Sequence, residues 1–515
     1  MNNRKQYQMG TVLSYTIILL NIASGLVFVP VLMRFMGPAY NLYEGIGAFA
    51  HYIAMMDFGL GTVVIRYVAK YRTEGDRPGM ERFLGMILTL YTCIGVLVVA
   101  LGGLGFSYLG DLFPNFSHGE LEVARKLFVI LIANSACSML FNVFPGVLAA
   151  HERFVPARTI SLVRIIVRIG LVLIVVATDG GAVRIMLVDT ALNVASMIAY
   201  ALYTLIVLKV RVRWRGFESK LLKQIFSFSI FVFLNVVMNE AYWRLDRTIM
   251  MRVALPLVAV TSTGGKMAEY LMEFSNVFSG LFLPRAVQIV TRGANKAELT
   301  GLMVRVGRLQ LMVISLLVIG FAVVGRQFME LWVGSVPALN GRVDECYAIA
   351  LMLMLALLAP LFQSSGISIL QALNKHAFRA VMLFFIAILK AVLSVFLAIA
   401  YGPIGAAAGT VVSLIIGNVL ISNWYYHYKI GLDIPRFFRE GLRGILPALL
   451  LITGISCLTF FMPQDSWSSL LARIGVILPV YVFVMITVGM NASEREMLRD
   501  AVGGVGRRLK GGKGP

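Results

Sequence analysis

The chain has 515 residues, of which 59% are hydrophobic and only 14% charged, with a mean hydropathy of +0.82. A soluble protein carries about 25% charged residues, so an ordinary soluble fold is excluded. The formal charge of +20 does not point to nucleic acid, because lysine and arginine collect in the short loops on one side of a membrane protein.

Arg4 and Lys5 stand ahead of a long apolar run without a small-residue cleavage site, so the first helix is expected to stay in place. Mostly apolar runs long enough to cross ~30 Å of hydrocarbon then recur along the chain. Bounded by polar residues, glycine and proline, they predict about fourteen spans. The first six cover residues 10–36, 43–69, 83–106, 127–150, 159–177 and 185–208. The next six cover 224–243, 254–284, 309–331, 346–374, 380–401 and 404–426, and a last pair covers 444–462 and 470–490. The expected fold is therefore an all-α polytopic membrane protein of about 14 transmembrane helices. It divides into a six-helix lobe (1–208), a second six-helix lobe (209–430), an additional helix pair (431–490) and a basic cytoplasmic tail (491–515).

Charge supports this alternation. Segments 1–9, 70–82, 151–158, 209–223, 285–308, 375–379, 427–443 and 491–515 hold 31 of the 46 lysines and arginines. The positive-inside rule then puts both termini in the cytoplasm, with the protein in the plasma (inner) membrane. The exception follows the seventh span, where Arg244, Arg247 and Arg252 fall on the outer side. A short repeat (Leu20-Asn21-Ile22 with Leu234-Asn235-Val236, and Leu148-Ala149-Ala150 with Leu370-Gln371-Ala372) is offset by about six helices. It suggests two parallel lobes, an arrangement found in transporters.

Embedded charge carries most of the functional information. A charged side chain at a helix centre costs at least ~2.5–3.5 kcal/mol on insertion scales, so it faces protein, water or a ligand. The first half contains Arg34, Asp57, Arg66, Arg164, Arg168 and Asp189, and the second contains Glu240, Arg244, Asp246, Arg247, Lys266, Glu269, Glu273 and Lys390. For the arginines near span ends, snorkelling to the interface stands beside a cavity role. Glu240 and Arg244 are i, i+4 neighbours and can simply pair. Asn235, Asn239 and Trp243 recur every four residues, which gives the seventh span a polar face. Lys266, Glu269 and Glu273 share one face of the eighth span. They form either an ion-pair stripe or a water-lined wall where a carboxylate can take up a proton or a sodium ion.

Enzyme chemistry finds little support. No HExxH motif and no paired cysteine motif is present, and the four cysteines are scattered without metal-ligand spacing. Thr261–Lys266 lacks the leading glycine of a phosphate loop, and Met267 replaces its Ser or Thr. It reads as a flexible turn or break within the eighth span. Pro30, Pro145, Pro360 and Pro479 predict kinks, and Gly405–Gly409 predicts close helix packing.

These residues resemble the polysaccharide or oligosaccharide-lipid flippases of the multidrug/oligosaccharidyl-lipid/polysaccharide exporter superfamily. Pro30-Val31-Leu32-Met33-Arg34-Phe35-Met36-Gly37 looks like the family's P-x-L-x-R-x-x-G. Asp57-Phe58-Gly59-Leu60, followed by Arg66, looks like its D-x-G-L and arginine, and Leu245-Asp246-Arg247 like its x-D-[KR]. Pro284, Glu330–Gly334 and Leu370–Lys375 also fit the pattern. The resemblance implies two six-helix lobes with alternating access to a central cavity, and a polyprenyl-pyrophosphate-linked sugar as substrate. It makes Arg34, Arg66, Arg244, Arg247 and Lys266 the candidate headgroup contacts, with Asp57, Glu240, Asp246 and Glu269 as ion-coupling or pairing groups. It implies no enzyme activity, no metal and no cofactor, with coupling to H+ or Na+. The expected partners are a lipid-linked glycan, membrane lipids and glycan-assembly proteins, and no nucleic acid. A cation-coupled drug antiporter of the same superfamily is the alternative. A membrane-embedded glycan polymerase or transferase is a more distant one, since the sizeable loop with paired acids that it needs is missing.

Overall fold

The computed structural model describes residues 3–213, 219–279, 295–373, 375, 377–496 and 499. Pro284 and most of the tail lie outside them. The described residues are almost entirely helical and contain no strand, as expected where every backbone polar group must be satisfied within its own segment.

Seventeen helices carry the argument, and for these we use the labels α1 to α17. The first eight are α1 (Asn3–Met36), α2 (Ala39–Ala54), α3 (Leu60–Glu74), α4 (Arg77–Ser107), α5 (His118–Phe141), α6 (Val143–Ala150), α7 (Phe154–Ala177) and α8 (Gly181–Leu202). Then come α9 (Ser219–Val253), α10 (Val258–Ser279), α11 (Lys296–Val333), α12 (Val343–Phe362), α13 (Ser365–Ala372) and α14 (Ala377–Leu414). The last three are α15 (Ile434–Leu442), α16 (Ile445–Cys457) and α17 (Trp467–Val484).

Helix starts follow from local capping chemistry. Asp76 accepts from the Gly79 amide at 2.8 Å and opens α4, as short acceptors do at orphan helix N-termini. Ser117 and Glu120 form a reciprocal capping box at the start of α5. Within α14 the backbone turns at Gly402 (φ 62°, ψ −140°), immediately before Pro403.

Two compact units emerge. The first comprises residues 1–266, 335–345 and 377–413, and the second 267–334, 346–376 and 414–515. In the first, α1 packs on α7, α4 on α5, α3 on α6, α5 and α7 on α8, and α2 on both α5 and α9. Its core joins Val63, Val64 and Val68 of α3 to Phe83, Ile87 and Tyr91 of α4 and Val143 and Val147 of α6. In the second unit α11 packs against α15, α16 and α17, with Val323, Val324, Leu470 and Ile477 between α11 and α17.

Ten helical stretches among the described residues are long and apolar enough to cross a membrane, or eleven if the bent pair Ile434–Leu442 and Ile445–Phe461 is one span. The expected number of 14 is not confirmed. The stretch Val381–Ile430 counts once, although its turn at Gly402 falls where the sequence predicts a boundary between two spans. The expected spans at 224–243 and 254–284 do not enter the count, and residues 280–284 of the second lie outside the described residues. One expectation is corrected. Thr261–Lys266 is neither a turn nor a break but part of α10, where the Thr261 and Ser262 hydroxyls donate to the carbonyls of Leu257 and Ala259. A hydroxyl satisfied by the preceding turn no longer competes with the helix.

Candidate functional site

The first unit gathers embedded polar groups around the charged end of α9. Asp246 and Arg247 are consecutive, and consecutive helical side chains diverge by roughly 100°. They therefore reach different neighbours.

Arg247, 7% exposed, faces α2, with Nη1 3.6 Å from Glu44 Oε2. Tyr40, one turn earlier on α2, donates its hydroxyl to Glu44 Oε1 at 3.0 Å. Tyr43 lies beside Tyr40, ring centroids 6.3 Å apart, and donates to Asp189 Oδ2 at 3.0 Å. Asp189 is gripped by both Nε and Nη2 of Arg168, at 2.5 and 3.0 Å. That fork geometry is the strong form of the ion pair. Two adjacent ion pairs thus span α9, α2, α8 and α7, with tyrosines reading both acids. The approach of α2 to α9 depends on Gly45, where a Cβ would stand 2.3 Å from Sδ of the fully buried Met251. Glycine at close backbone approach is what lets Glu44 reach Arg247.

Asp246 turns instead toward α14. The buried Lys390 ammonium lies 3.1 Å from Asp246 Oδ2 and also donates to the Tyr242 carbonyl. Thr410 donates to the same Asp246 oxygen at 2.8 Å, and the Tyr242 hydroxyl donates to the Thr410 carbonyl at 2.9 Å. Gly409, whose Cβ would meet the Ser394 backbone nitrogen at 2.7 Å, lets the two arms of α14 come close enough to form this knot.

Asp57 belongs to a different joint. It ends the short 3-10 turn between α2 and α3, where Phe58 and Gly59 take left-handed conformations. Its Oδ1 accepts from Tyr91 at 2.5 Å and from Asn142, the residue between α5 and α6, at 2.8 Å, while the Gly61 amide donates to Oδ2 at 3.3 Å. One carboxylate therefore ties two helix breaks together. Arg34 is exposed at the end of α1 and donates to Ser335 at 2.5 Å. Arg66 is exposed on α3, whereas Arg244 and Lys266 are half-buried on α9 and α10. Glu269 is half-buried in the second unit. The side chains of Asn235, Asn239 and Glu240 lie outside the described residues. Among the nine predicted site residues, Arg247 thus joins the cluster of Glu44 and Tyr40, and Asp246 a separate knot with Lys390 and Thr410. Reasoning from sequence missed Glu44, Tyr40 and Tyr43, which sit at the start of an apolar span and look like an ordinary interfacial end. Lys390 stood out as an embedded charge, but nothing local linked it to Asp246.

No group of three or more His, Cys, Asp or Glu side chains able to hold a metal occurs among the described residues. Long apolar helices with ion pairs held inside them define a polytopic membrane protein. The family model described as polysaccharide biosynthesis protein matches residues 9–270, and the chain belongs to that family. No curated protein matches the chain in sequence. In fold it is similar to the lipid II flippase MurJ in an inward closed conformation, with TM-score 0.68 and 16% identity over 92% of this chain and 97% of that one. It is also similar to an inward-facing multidrug resistance MATE family transporter of the MOP superfamily, with TM-score 0.60 and 12% identity over 80% and 97% of the two chains. The Vibrio cholerae MATE transporter VcmN gives TM-score 0.57 and 14% identity over 83% and 97%. At such identities the likeness is one of fold. These neighbours are named as a flippase and as transporters.

Proposed function

We propose that the chain is a flippase carrying a lipid-linked oligosaccharide, or a related cell-envelope precursor, across the plasma membrane. Membership of the polysaccharide biosynthesis protein family carries this reading, and the fold shared with a lipid II flippase supports it. In this reading lobes 1–208 and 209–430 alternate access to a cavity, 431–490 is an accessory pair, and both termini are cytoplasmic. Arg34, Arg66, Arg244, Arg247 and Lys266 meet the anionic headgroup. Guanidinium groups suit that role, because they match phosphate oxygens with two parallel charge-assisted hydrogen bonds. Glu44, close to Arg247 at 3.6 Å, is a counter-charge that an incoming phosphate can displace.

The test is depletion of the protein followed by identification of lipid-linked species on each leaflet. The expected result is one polyprenyl-linked glycan precursor accumulating on the cytoplasmic leaflet. Unchanged distribution of every lipid-linked glycan would sink the proposal. The fold likeness to MATE transporters favours a second reading, a cation-coupled drug antiporter. Ion-driven drug efflux without any change in surface glycan would establish it instead.

A further inference from the structure

A lysine inside an apolar helix must be paired or must reach water. Lys390 is fully buried in α14, among the spans of the first unit. Its ammonium is held by the Tyr242 carbonyl, by Asp246 Oδ2 at 3.1 Å and by the face of the Tyr242 ring, 4.7 Å from the centroid. Thr410 brings its hydroxyl to the same Asp246 oxygen at 2.8 Å. The second carboxylate oxygen, Asp246 Oδ1, is buried and has no hydrogen-bond partner among the described residues.

A carboxylate, a backbone carbonyl, a hydroxyl and an aromatic face are the groups with which proteins hold a bare cation. Oxygen ligands replace the hydration shell, and the ring quadrupole adds attraction. Here the cation is covalently attached. We propose that Lys390 is a tethered cation occupying a site for a free monovalent cation such as sodium, and that removing its ammonium uncovers that site at Asp246. The unpartnered Oδ1 supplies a spare ligand atom, and the space vacated by the lysine head adjoins the carbonyl and hydroxyl already in place. Arg247 does not fill the gap, because it turns toward Glu44 on α2. The consequence for transport is that Asp246 is neutralised from within, so the cycle needs no external cation at this point. That consequence rests on the flippase reading, whereas the cation site rests on the geometry alone.

Thermal unfolding of the purified full chain in detergent, with sodium chloride exchanged for choline chloride at constant ionic strength and pH, tests the site. The wild type should unfold at the same temperature in both salts. K390A should show a saturable rise in Tm with sodium, and K390A/D246N should lose that rise. An equal sodium response in wild type and K390A, or none in K390A, overturns the proposal. A K390A chain that cannot be recovered in either salt counts against it too, because sodium then fails to replace the ammonium. Lipid-linked oligosaccharide flipping in reconstituted vesicles adds the second arm. The wild type should flip equally with and without sodium, while K390A should flip only with it. If the wild type flips no such lipid, the flippase reading falls, and the unfolding arm still decides the cation site.

Discussion

Arg308 and Arg247 show two ways of keeping a guanidinium inside a helical membrane protein. Arg308, 4% exposed, binds both Glu494 oxygens at 2.6 and 2.9 Å and the carbonyls of Glu440, Arg443 and Gly489 at 2.7 to 3.0 Å. A guanidinium so fully satisfied is a clamp, tying α11 to the ends of α15 and α17. Breaking such a buried pair from one side leaves an uncompensated charge and costs about 3–5 kcal/mol. E494A should therefore lower the Tm of the purified protein clearly, and an unchanged Tm would show that the carbonyls alone suffice. Arg247 lies 3.6 Å from Glu44, an ion pair longer than a hydrogen bond. R247A should abolish flipping in reconstituted vesicles while the protein still reaches the membrane, and normal flipping would remove Arg247 from the site. Asp57 holds its place through Tyr91 and Asn142. Y91F removes a charge-assisted hydrogen bond, worth about 1.5–3 kcal/mol, and should lower Tm accordingly. A Tm equal to the wild type's would mean that Asp57 is held without Tyr91.

Elements matter through where they break and where they touch. Gly402 holds φ 62° and ψ −140°, a region closed to residues with a Cβ. G402A should destabilise the protein by about 1–3 kcal/mol, read as a lower Tm, and a silent G402A would show that α14 does not need this turn. Gly45 is a tighter constraint on function. A valine there would drive α2 away from Met251 on α9 and separate Glu44 from Arg247. G45V should therefore impair transport more than an equally apolar substitution at Gly47, where an added Cβ meets nothing within 4 Å. Equal effects at both positions would refute the close-contact argument. Neither glycine stood out in the sequence, because glycine is common in membrane helices and only a neighbour reveals which one is in contact. The break at Asp57 was half legible. Asp57-Phe58-Gly59 marks a turn, but that Asn142 closes the same joint appears only once α5 and α6 lie beside α3.

For the whole molecule, the distribution of lysine and arginine predicts a sidedness that labelling can test. In a background without the four native cysteines, a cysteine placed in the 70–82 segment should react with an impermeant thiol reagent only from the cytoplasmic side. One at 178–184 should react only from outside, and the reverse pattern would invert the proposed topology. Helical membrane class and family, though not the number of spans, were legible in the sequence because each rests on local properties: runs long enough to cross hydrocarbon, the exclusion of unpaired backbone, and short ordered motifs. The embedded charges were legible as anomalies for the same reason. Their partners were not. Lys390 meets Asp246, Arg247 meets Glu44, and Arg168 meets Asp189 across separate helices, and no local pattern encodes which helix faces will meet. The sequence by itself determined a multi-span helical protein with charge to hide. Only the tertiary structure decided which opposite charge each one hides against, because that choice is made by close packing between separate helices.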